Sequence, residues 1–171
     1  MPHLSKIIST QQAGFVPGRC IAEHGATLQT VKMLVTSQNS SSIAPLLDQE
    51  KAYDCIHPEY LSAVMIEFGI PASIINSIIS LFFSTQIQVN LNGHITNAPF
   101  TQLRGLRQRD PLSTLLFNIA FDPFIRSIHQ NETFRIFNLQ QEAPPSLHLN
   151  HLIPPDTIKI LAYADDTLVF F

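Results

Sequence analysis

The chain has 171 residues, of which 45% are hydrophobic and 13% are charged, so we expect a folded domain with a real core and not a disordered chain. Polar residues interrupt each apolar run before it reaches the length of a membrane span, and the short polar N-terminus does not have the form of a signal peptide. The net charge of −3 argues mildly against a nucleic-acid-binding protein, which usually carries a basic face. Two cysteines do not make a disulfide framework, so we expect reduced thiols in an intracellular protein, in the cytoplasm and/or the nucleus.

The N-terminal part of the chain predicts a loop followed by a helix. Gly14, Pro17 and Gly18 predict an irregular loop, because glycine widens and proline restricts the backbone conformations available there. Over residues 21–37, apolar side chains recur three, four and seven positions apart, which is the period of an amphipathic helix. The polar run at 38–42 lacks this period and is expected to separate the helix from the next apolar run.

A short apolar run at residues 43–47 ends in Asp48. The run predicts a strand, and a carboxylate at the end of a strand lies at a sheet edge, where it can approach a turn from a neighbouring strand. Asp54 lies too far along the chain to share this role, so we expect it to be structural and to pair with Lys51.

The middle of the chain predicts two helices and then a hairpin. Pro58 suits an early helical position, and Gly69 is a residue type that commonly follows a helix end. Asn92-Gly93 is a typical hairpin turn between segments of alternating polarity. The predicted helices cover residues 58–68 and 71–84, and the predicted strands cover residues 86–91 and 94–103.

Another helix is predicted to start at Asp110, as its N-cap, and Pro111, as its first residue. Pro123 is expected to end or kink this helix, because proline lacks the backbone N–H that the helix needs. A strand candidate at 134–139 and a proline-rich loop insertion at about 140–156 come next in the chain.

Two adjacent aspartates lie near the C-terminus, in Ala162-Tyr163-Ala164-Asp165-Asp166. Apolar residues flank this stretch on both sides, which predicts a strand, a tight turn and a second strand. Neighbouring carboxylates repel each other, and burial raises the cost, whereas a divalent cation such as Mg²⁺ relieves both effects because it prefers hard oxygen ligands. A surface β-turn is the alternative, because Asp is common in turns, and this stretch alone leaves the two interpretations open.

Four sequence blocks, in this order, resemble the reverse transcriptases of LINE-type, non-LTR retrotransposons. The blocks are Gln12-Ala13-Gly14-Phe15-Val16-Pro17-Gly18-Arg19 (fingers block), Asp48 to Asp54 (motif A), Gly105-Leu106-Arg107-Gln108-Arg109-Asp110-Pro111-Leu112-Ser113 (motif B) and Tyr163-Ala164-Asp165-Asp166 (motif C). Together they span nearly the whole chain, so the resemblance is far more specific than the last block alone.

The resemblance implies an α+β fold, the palm of a right-hand polymerase, with an antiparallel sheet and helices on one face. Residues 1–171 would form one reverse transcriptase domain fragment. Partial fingers would cover about 1–42, and the palm would cover about 43–171 and include the extra loop near 140–156. The thumb is expected to be absent, because the sequence ends shortly after Asp166.

The implied activity is RNA-directed DNA synthesis, with an RNA template, a DNA primer and deoxynucleoside triphosphates as partners and no membrane. The primer 3′-hydroxyl would attack the α-phosphate of the nucleotide. Asp48, Asp165 and Asp166 would be the catalytic residues and would hold two Mg²⁺ ions, for which Mn²⁺ can substitute. Which RNA is copied, and the oligomeric state, do not follow from the sequence.

The resemblance also implies roles for residues around the nucleotide and the primer. Tyr53 would lie under the sugar of the incoming nucleotide and exclude a 2′-hydroxyl, and it can also serve as a core aromatic. Gln108 would stand near the templating base pair. Arg19 would contact a phosphate of the nucleotide, unless it is a solvated residue that caps the next helix. The residues assigned to template or primer are Gly105, Arg107 and Tyr163.

Motif B departs from the family at two positions: Arg109 replaces a Gly, and Thr114 replaces a Pro, which is tolerable. Gly105, at the start of the motif, marks a close backbone approach. If the backbone at Arg109 needs a positive φ, a residue other than glycine costs about 1 kcal/mol or more. A long cation would also project where primer, template and nucleotide meet. We favour a decayed element copy over a repurposed contact to phosphate.

Two rival functions are open from the sequence. The first is a non-catalytic, degenerate remnant that at most binds nucleic acid weakly, which Arg109, the missing thumb and the net charge favour. The second is a different palm polymerase, such as an RNA-dependent RNA polymerase. Tyr53 and Ala164 argue against the second, and a comparison of dNTP with rNTP incorporation would distinguish such a polymerase from a reverse transcriptase.

Overall fold

The structure is a computed structural model that describes residues 4–37, 39, 43–132 and 158–170. Its helices are α1 (Leu4–Ile7), α2 (Ile21–Ser37), α3 (Pro58–Glu67), α4 (Ala72–Phe83) and α5 (Pro111–Gln130), with a 3₁₀ turn at Ala52–Cys55. Its strands are β1 (Leu46–Leu47), β2 (Gln86–Ile87), β3 (Asn90–Leu91), β4 (His94–Ile95), β5 (Phe100–Thr101), β6 (Ile160–Tyr163) and β7 (Asp166–Val169). The strand candidate at 134–139 and the loop insertion at about 140–156 lie outside the described residues.

The architecture is a mixed α/β arrangement of helices and small antiparallel sheets, as the sequence predicted at this coarse level. One sheet has the strand order β1-β7-β6, and two further ribbons pair β2 with β5 and β3 with β4. The chain divides into two compact units, the first formed by Met1–Gln49 and Asp122–Phe171 and the second by Glu50–Phe121. Of the helices just given, none is long and apolar enough to cross a membrane.

The first unit is built on the three-stranded sheet. Alternation along β6 and β7 buries one face completely, with Ile160, Ala162, Thr167 and Val169 at most 2% exposed. Helix α2 packs against this hairpin through a hydrophobic cluster near the end that lies away from the β6–β7 turn. The cluster contains Val31, Leu34, Ile158 and Phe170, with Leu168 packed against it.

The second unit is mainly helical, and both ends of α3 and α4 lie within one residue of the bounds predicted from the sequence. Pro58 is the first residue of α3, and Gly69 follows its end with a φ of 73°, which is the conformation that favours glycine after a helix. Asn92 and Gly93 both have positive φ, so the predicted hairpin turn between β3 and β4 is confirmed. The fully buried side chains of this unit include Leu61, Met65, Phe82, Leu106, Leu116 and Phe117.

The strands predicted at 86–91 and 94–103 are each broken into two short pieces. Between β2 and β3, the Val89 N–H bonds to the Thr96 hydroxyl at 3.1 Å, and the Gln88 side chain bonds to the Thr96 carbonyl at 3.1 Å, so side chains replace ladder bonds. Between β4 and β5, Pro99 has no N–H to donate to a ladder. The strand predicted at 43–47 likewise shortens to β1.

Pro123 does not end α5, which runs on to Gln130, so the first of its two predicted effects is wrong. Proline removes one helical hydrogen bond and weakens the turn before it. The Tyr60 hydroxyl donates to the Ala120 carbonyl at 2.8 Å in that turn, and burial raises the pKa of Tyr60 above its ordinary value. At the start of the helix, Asp110 is confirmed as the N-cap, because its carboxylate accepts a bond from the Leu112 N–H at 2.8 Å.

Candidate active site

Asp48 lies at the end of the first unit's sheet where the β6–β7 turn also lies. It directly follows β1, in which Leu47 pairs with Thr167 of β7. Continued by one residue, this register sets Asp48 opposite Asp166. Residues that oppose each other on antiparallel strands point to the same face of the sheet. The sheet therefore brings motif A and motif C together, although they are far apart in the sequence.

The turn of motif C contains two residues, Ala164 and Asp165, between the paired Tyr163 and Asp166. Ala164 has a φ of 56°, whereas Asp165 does not have a positive φ, which is the pattern of a type II′ hairpin turn. Asp165 is half-buried and Asp166 is exposed. The predicted strand, tight turn and strand are confirmed.

The three carboxylates carry charge that the described part of the chain does not neutralise. Within it, the side chains of Asp48, Asp165 and Asp166 form no ion pair and accept no hydrogen bond. In the described part of the chain, no three or more His, Cys, Asp or Glu side chains lie close enough together to hold a metal ion. The donor chemistry fits Mg²⁺ or Mn²⁺. Because Asp48 and Asp166 are exposed, their side chains have room to rotate toward a cation.

The Gln12 side chain binds the backbone of the motif C turn. Its side-chain Nε2 donates to the Ala164 carbonyl at 2.9 Å, and its Oε1 accepts bonds from the N–H groups of Ala164 and Gly14, both at 2.8 Å. The side chain is fully buried, at 0% exposure. A non-glycine residue at positive φ costs about 1 kcal/mol or more, so these bonds stabilise a turn that alanine disfavours.

The backbone on either side of Gln12 lies against β6. The Ala13 N–H donates to the Ala162 carbonyl, and the Ala162 N–H donates to the Gln11 carbonyl, both at 2.8 Å. A Cβ added at Gly14 would lie 2.2 Å from the Ala164 nitrogen, so only glycine fits there. Residues 12–14, which the sequence assigned to the fingers block, thus support motif C directly, together with the preceding Gln11.

An aromatic pair lies at the exposed side of the turn. The rings of Phe15 and Tyr163 have centroids 6.4 Å apart, and the two residues are 53% and 37% exposed. Phe15 also has a φ of 57°, a conformation that is rare for a bulky residue and is often kept where a site requires it. Two aromatic faces beside a carboxylate turn are suited to contact a nucleobase or a sugar.

Arg19 lies in the first unit and points back to the N-terminal segment. Its guanidinium donates to the carbonyls of Ser9, Gln12, Ser5 and Ile8, at 2.5 to 2.9 Å. Burial lowers the pKa of Arg19, and nearby Asp122 partly opposes this effect. Of the two roles open from the sequence, capping is the one with visible partners, although the capped carbonyls belong to α1 and its following loop and not to the next helix.

Tyr53 lies in the second unit, in the 3₁₀ turn that follows motif A. Its half-buried ring stacks on Phe117, with centroids 4.7 Å apart and planes 13° apart. The Leu106 N–H donates to the Tyr53 carbonyl at 2.8 Å, which ties motif A to motif B. The Tyr53 ring thus has a core contact, as one of its two expected roles requires. Nearby, Lys51 lies 3.9 Å from Glu50, and the pair expected with Asp54 is not observed in the described residues.

The close backbone approach expected at Gly105 is confirmed, and the neighbouring backbone is that of Asp54. The φ of Gly105 is 89°, and a Cβ built there would lie 2.9 Å from Cα and 3.0 Å from the carbonyl oxygen of Asp54. Its N–H donates to the Ile56 carbonyl at 2.7 Å. The glycine therefore lets motif B pass directly over the end of motif A.

We expect Gly105→Ala to lower the free energy of unfolding by about 3 kcal/mol, because a left-handed alanine costs 1–2 kcal/mol and the contact with Asp54 adds overpacking. Gly93→Ala is the matched control: Gly93 has a φ of 90° but no atom within 4 Å of the added Cβ. Gly93→Ala should lower the free energy of unfolding only by the cost of a left-handed alanine, about 1–2 kcal/mol. Urea denaturation measures both, and equal losses would contradict the close approach.

The remaining motif B residues differ in how they are held. The Arg107 guanidinium donates to the Leu81 carbonyl and the Thr85 hydroxyl, both at 2.7 Å, and lies 5.4 Å from the centre of the Phe82 ring. Gln108 and Arg109 are exposed. Arg109 has a φ of 68°, so the condition under which it costs stability is met.

The site residues predicted from the sequence fall into two sets. Asp48, Asp165, Asp166, Tyr163 and Arg19 belong to the first unit. Tyr53, Gly105, Arg107 and Gln108 belong to the second. Sequence reasoning missed the support that Gln12 and Gly14 give to motif C. The only sequence signal for it was a glutamine and a glycine two positions apart in a recognisable block.

The comparisons with known proteins agree with the four motifs. Residues 1–171 match the family described as reverse transcriptase (RNA-dependent DNA polymerase). A transposon TX1 uncharacterized 149 kDa protein from Xenopus laevis is 27% identical over 167 residues, which are 97% of this chain and 12% of that protein. A retrovirus-related Pol polyprotein from a type-1 retrotransposable element R2 of Popillia japonica is 32% identical over 124 residues, or 72% of this chain and 18% of the polyprotein.

A third relative, the Pol polyprotein from the type-2 retrotransposable element R2DM of Drosophila melanogaster, is 25% identical over 118 residues, or 69% of this chain and 11% of the polyprotein. The chain thus spans less than a fifth of the length of the curated relatives that it matches. The family match covers the whole chain, and the motifs that carry it lie in the geometry described above. The chain belongs to the reverse transcriptase family, and the relatives reported above are a protein of transposon TX1 and Pol polyproteins of R2 retrotransposable elements.

Proposed function

We propose that the chain is the palm and partial fingers of an RNA-directed DNA polymerase from a non-LTR retrotransposon. Its substrates are an RNA template, a DNA primer and deoxynucleoside triphosphates, and it acts in the cytoplasm and/or the nucleus. The observation that carries the proposal is the register of β1, β7 and β6, which sets Asp48 at the same sheet end as Asp165 and Asp166. Family membership then makes polymerase chemistry the first interpretation of three carboxylates at one end of a sheet.

In this proposal, Asp48, Asp165 and Asp166 bind two Mg²⁺ ions, or Mn²⁺ in their place. When bound, the ions lower the pKa of the primer 3′-hydroxyl and neutralise the leaving pyrophosphate. The carboxylates fix where the ions sit, and Asp165 is the most constrained of the three because it is half-buried in the turn that Gln12 supports. Neither Asp48 nor Asp165 lies inside a strand, so both can act without disturbing the sheet ladder.

Tyr53 is the proposed barrier to ribonucleotides, with its ring under the sugar of the incoming nucleotide. The stack on Phe117 fixes the plane of the Tyr53 ring, so displacing the ring to admit a 2′-hydroxyl would cost the stacking energy. Gln108 would stand near the templating base pair. The aromatic faces of Tyr163 and Phe15, which lie side by side, would contact the primer strand. Gly105 and Arg107 would serve template and primer by shaping the motif B loop, and Arg19 remains the proposed nucleotide-phosphate contact.

Replacing Tyr53 with Val is expected to reduce the preference for dNTPs over rNTPs by roughly 10²-fold, because the excluded hydroxyl then fits; the figure corresponds to a difference of about 3 kcal/mol between the two substrates. Tyr53→Phe is the matched control, since it keeps the ring and the stack on Phe117 and should keep the preference. Single-nucleotide incorporation with each triphosphate measures the ratio of kcat/KM. Unchanged selectivity in Tyr53→Val would leave Tyr53 with the core role alone.

The test of the proposed function is primer extension on an RNA template with dNTPs, in Mg²⁺ and in Mn²⁺. The parent chain is run beside Asp165→Asn and Arg109→Gly. Extension that Asp165→Asn loses supports the proposal. Extension that survives Asp165→Asn would overturn the assignment of the carboxylates.

A non-catalytic remnant that at most binds nucleic acid weakly is the second candidate. The observation that favours it is Arg109, an exposed cation at a φ of 68° in the loop where the family has Gly. It predicts no extension by the parent chain in either metal, with weak and salt-sensitive binding to a primer–template.

A further inference from the structure

The Gln12 side chain is bound to both backbone groups of Ala164, the residue before Asp165. Its amide nitrogen donates to the Ala164 carbonyl at 2.9 Å, and its oxygen accepts from the Ala164 N–H at 2.8 Å. These two bonds join residues 152 positions apart, and Gln12 is fully buried. Any rotation of the peptide units around Ala164 would break at least one of them.

Gly14 restrains the same turn independently. It donates its N–H to the Gln12 side-chain oxygen at 2.8 Å, so that oxygen is shared between Gly14 and Ala164. The position that a Cβ would occupy on Gly14 lies only 2.2 Å from the Ala164 nitrogen. The Gln12 carboxamide therefore binds the turn, and the backbone at Gly14 packs directly against Ala164. Ala164 itself disfavours its φ of 56°, so the turn depends on this support.

We propose that Gln12 is a positioning residue that sets the orientation of the Asp165 carboxylate through the backbone of Ala164. The inference rests on the proposed function, because it takes Asp165 to be a metal ligand. The primary amide donates to the carbonyl through its nitrogen and accepts from the N–H through its oxygen at the same time. Asn is one methylene too short to span the gap, Glu lacks the donor when ionised, and Met has the right length but neither hydrogen-bonding group.

A purely structural role for Gln12 makes a different prediction. In that case its loss would lower the stability of the first unit, and the folded molecules that remain would bind metal as well as the parent. A positioning role changes the metal affinity of the folded molecules themselves. Supporting groups that orient metal ligands typically change affinity by 10- to 100-fold.

The experiment compares the parent chain with Gln12→Met, Gln12→Glu, Asp165→Asn and a stability control, Val31→Ala. Val31 is 4% exposed in the α2 cluster, away from the β6–β7 turn. Two quantities are measured at a temperature where every variant is folded. The first is the dissociation constant for Mn²⁺, from the electron paramagnetic resonance signal of the free ion. The second is the hydrogen-exchange protection of the Ala164 amide, which requires no metal.

We expect Gln12→Met to weaken Mn²⁺ binding by about tenfold or more and to lose protection at Ala164, while Val31→Ala changes neither. Gln12→Glu should stay closer to the parent, because a buried carboxyl is held neutral and keeps one donor and one acceptor. Mn²⁺ affinity within twofold of the parent in Gln12→Met would overturn the positioning role. Ala164 protection that survives Gln12→Met would overturn it too, whether or not metal binds. Parent binding that Asp165→Asn leaves intact would instead refute the metal assignment in the proposed function.

Discussion

Replacing Asp165 with Asn is expected to lower primer extension by about 10³-fold or more and to leave the thermal unfolding midpoint unchanged. Loss of a metal ligand removes several kcal/mol of charge stabilisation, and each 1.36 kcal/mol is tenfold in rate. The stability of the fold should not change, because within the described residues the Asp165 carboxylate has no hydrogen bond or ion pair to lose. Its backbone carbonyl accepts a bond from the Thr167 hydroxyl at 3.3 Å, and the Asn variant keeps that bond.

Asp54→Asn is the control for this prediction, since it makes the same chemical change in an exposed aspartate of motif A that we place outside the metal site. We expect it to retain activity within a few-fold. Both variants are measured by single-turnover extension, with circular dichroism to compare the folds. If the parent chain is silent, the comparison is repeated in the Arg109→Gly background. Full activity of Asp165→Asn with an unchanged spectrum would remove Asp165 from the site.

The parts of the fold that could be predicted are those fixed by neighbouring residues. The period of apolar side chains gave α2 at the bounds observed, and the local chemistry of Asp110 and Pro111 gave the start of α5. The tight turn at motif C followed from its flanking apolar strands, although Asp166 lies in β7 and not in the turn. These signals need only a few consecutive residues, so no knowledge of the tertiary fold is required.

The parts that could not be predicted depend on distant partners. The role of Gln12 depends on a turn 152 positions away, and nothing in its local sequence identifies that partner. The Tyr60 hydroxyl contacts the Ala120 carbonyl in the turn before Pro123, and nothing in the local sequence of α5 identifies this partner 60 positions away. The break between β2 and β3 arises because the Thr96 hydroxyl and the Gln88 side chain bond to backbone groups that a ladder would otherwise pair.

Arg109→Gly is expected to raise primer extension, from undetectable to measurable if Arg109 is the main lesion of the parent chain. The substitution removes a long exposed cation from the motif B loop. It also places glycine, which adopts positive φ without strain, at a position where φ is 68°. The effect on stability is smaller. Relief of a left-handed residue gains about 1–2 kcal/mol, while the larger conformational entropy of glycine in the unfolded chain offsets about 0.4–1 kcal/mol.

Two companion variants separate the causes. Arg109→Ala removes the cation but keeps the backbone strain, and Arg109→Lys keeps a cation of similar reach. If bulk and charge block the site, Gly and Ala should both restore extension and Lys should not. If backbone strain distorts the loop, only Gly should restore it. If Arg109 instead contacts a phosphate, the parent and Lys should bind a primer–template more tightly than Gly or Ala, with a steeper dependence on salt. Silence in all four chains, with Mn²⁺ binding intact, would place the lesion outside motif B and leave the non-catalytic remnant as the better description.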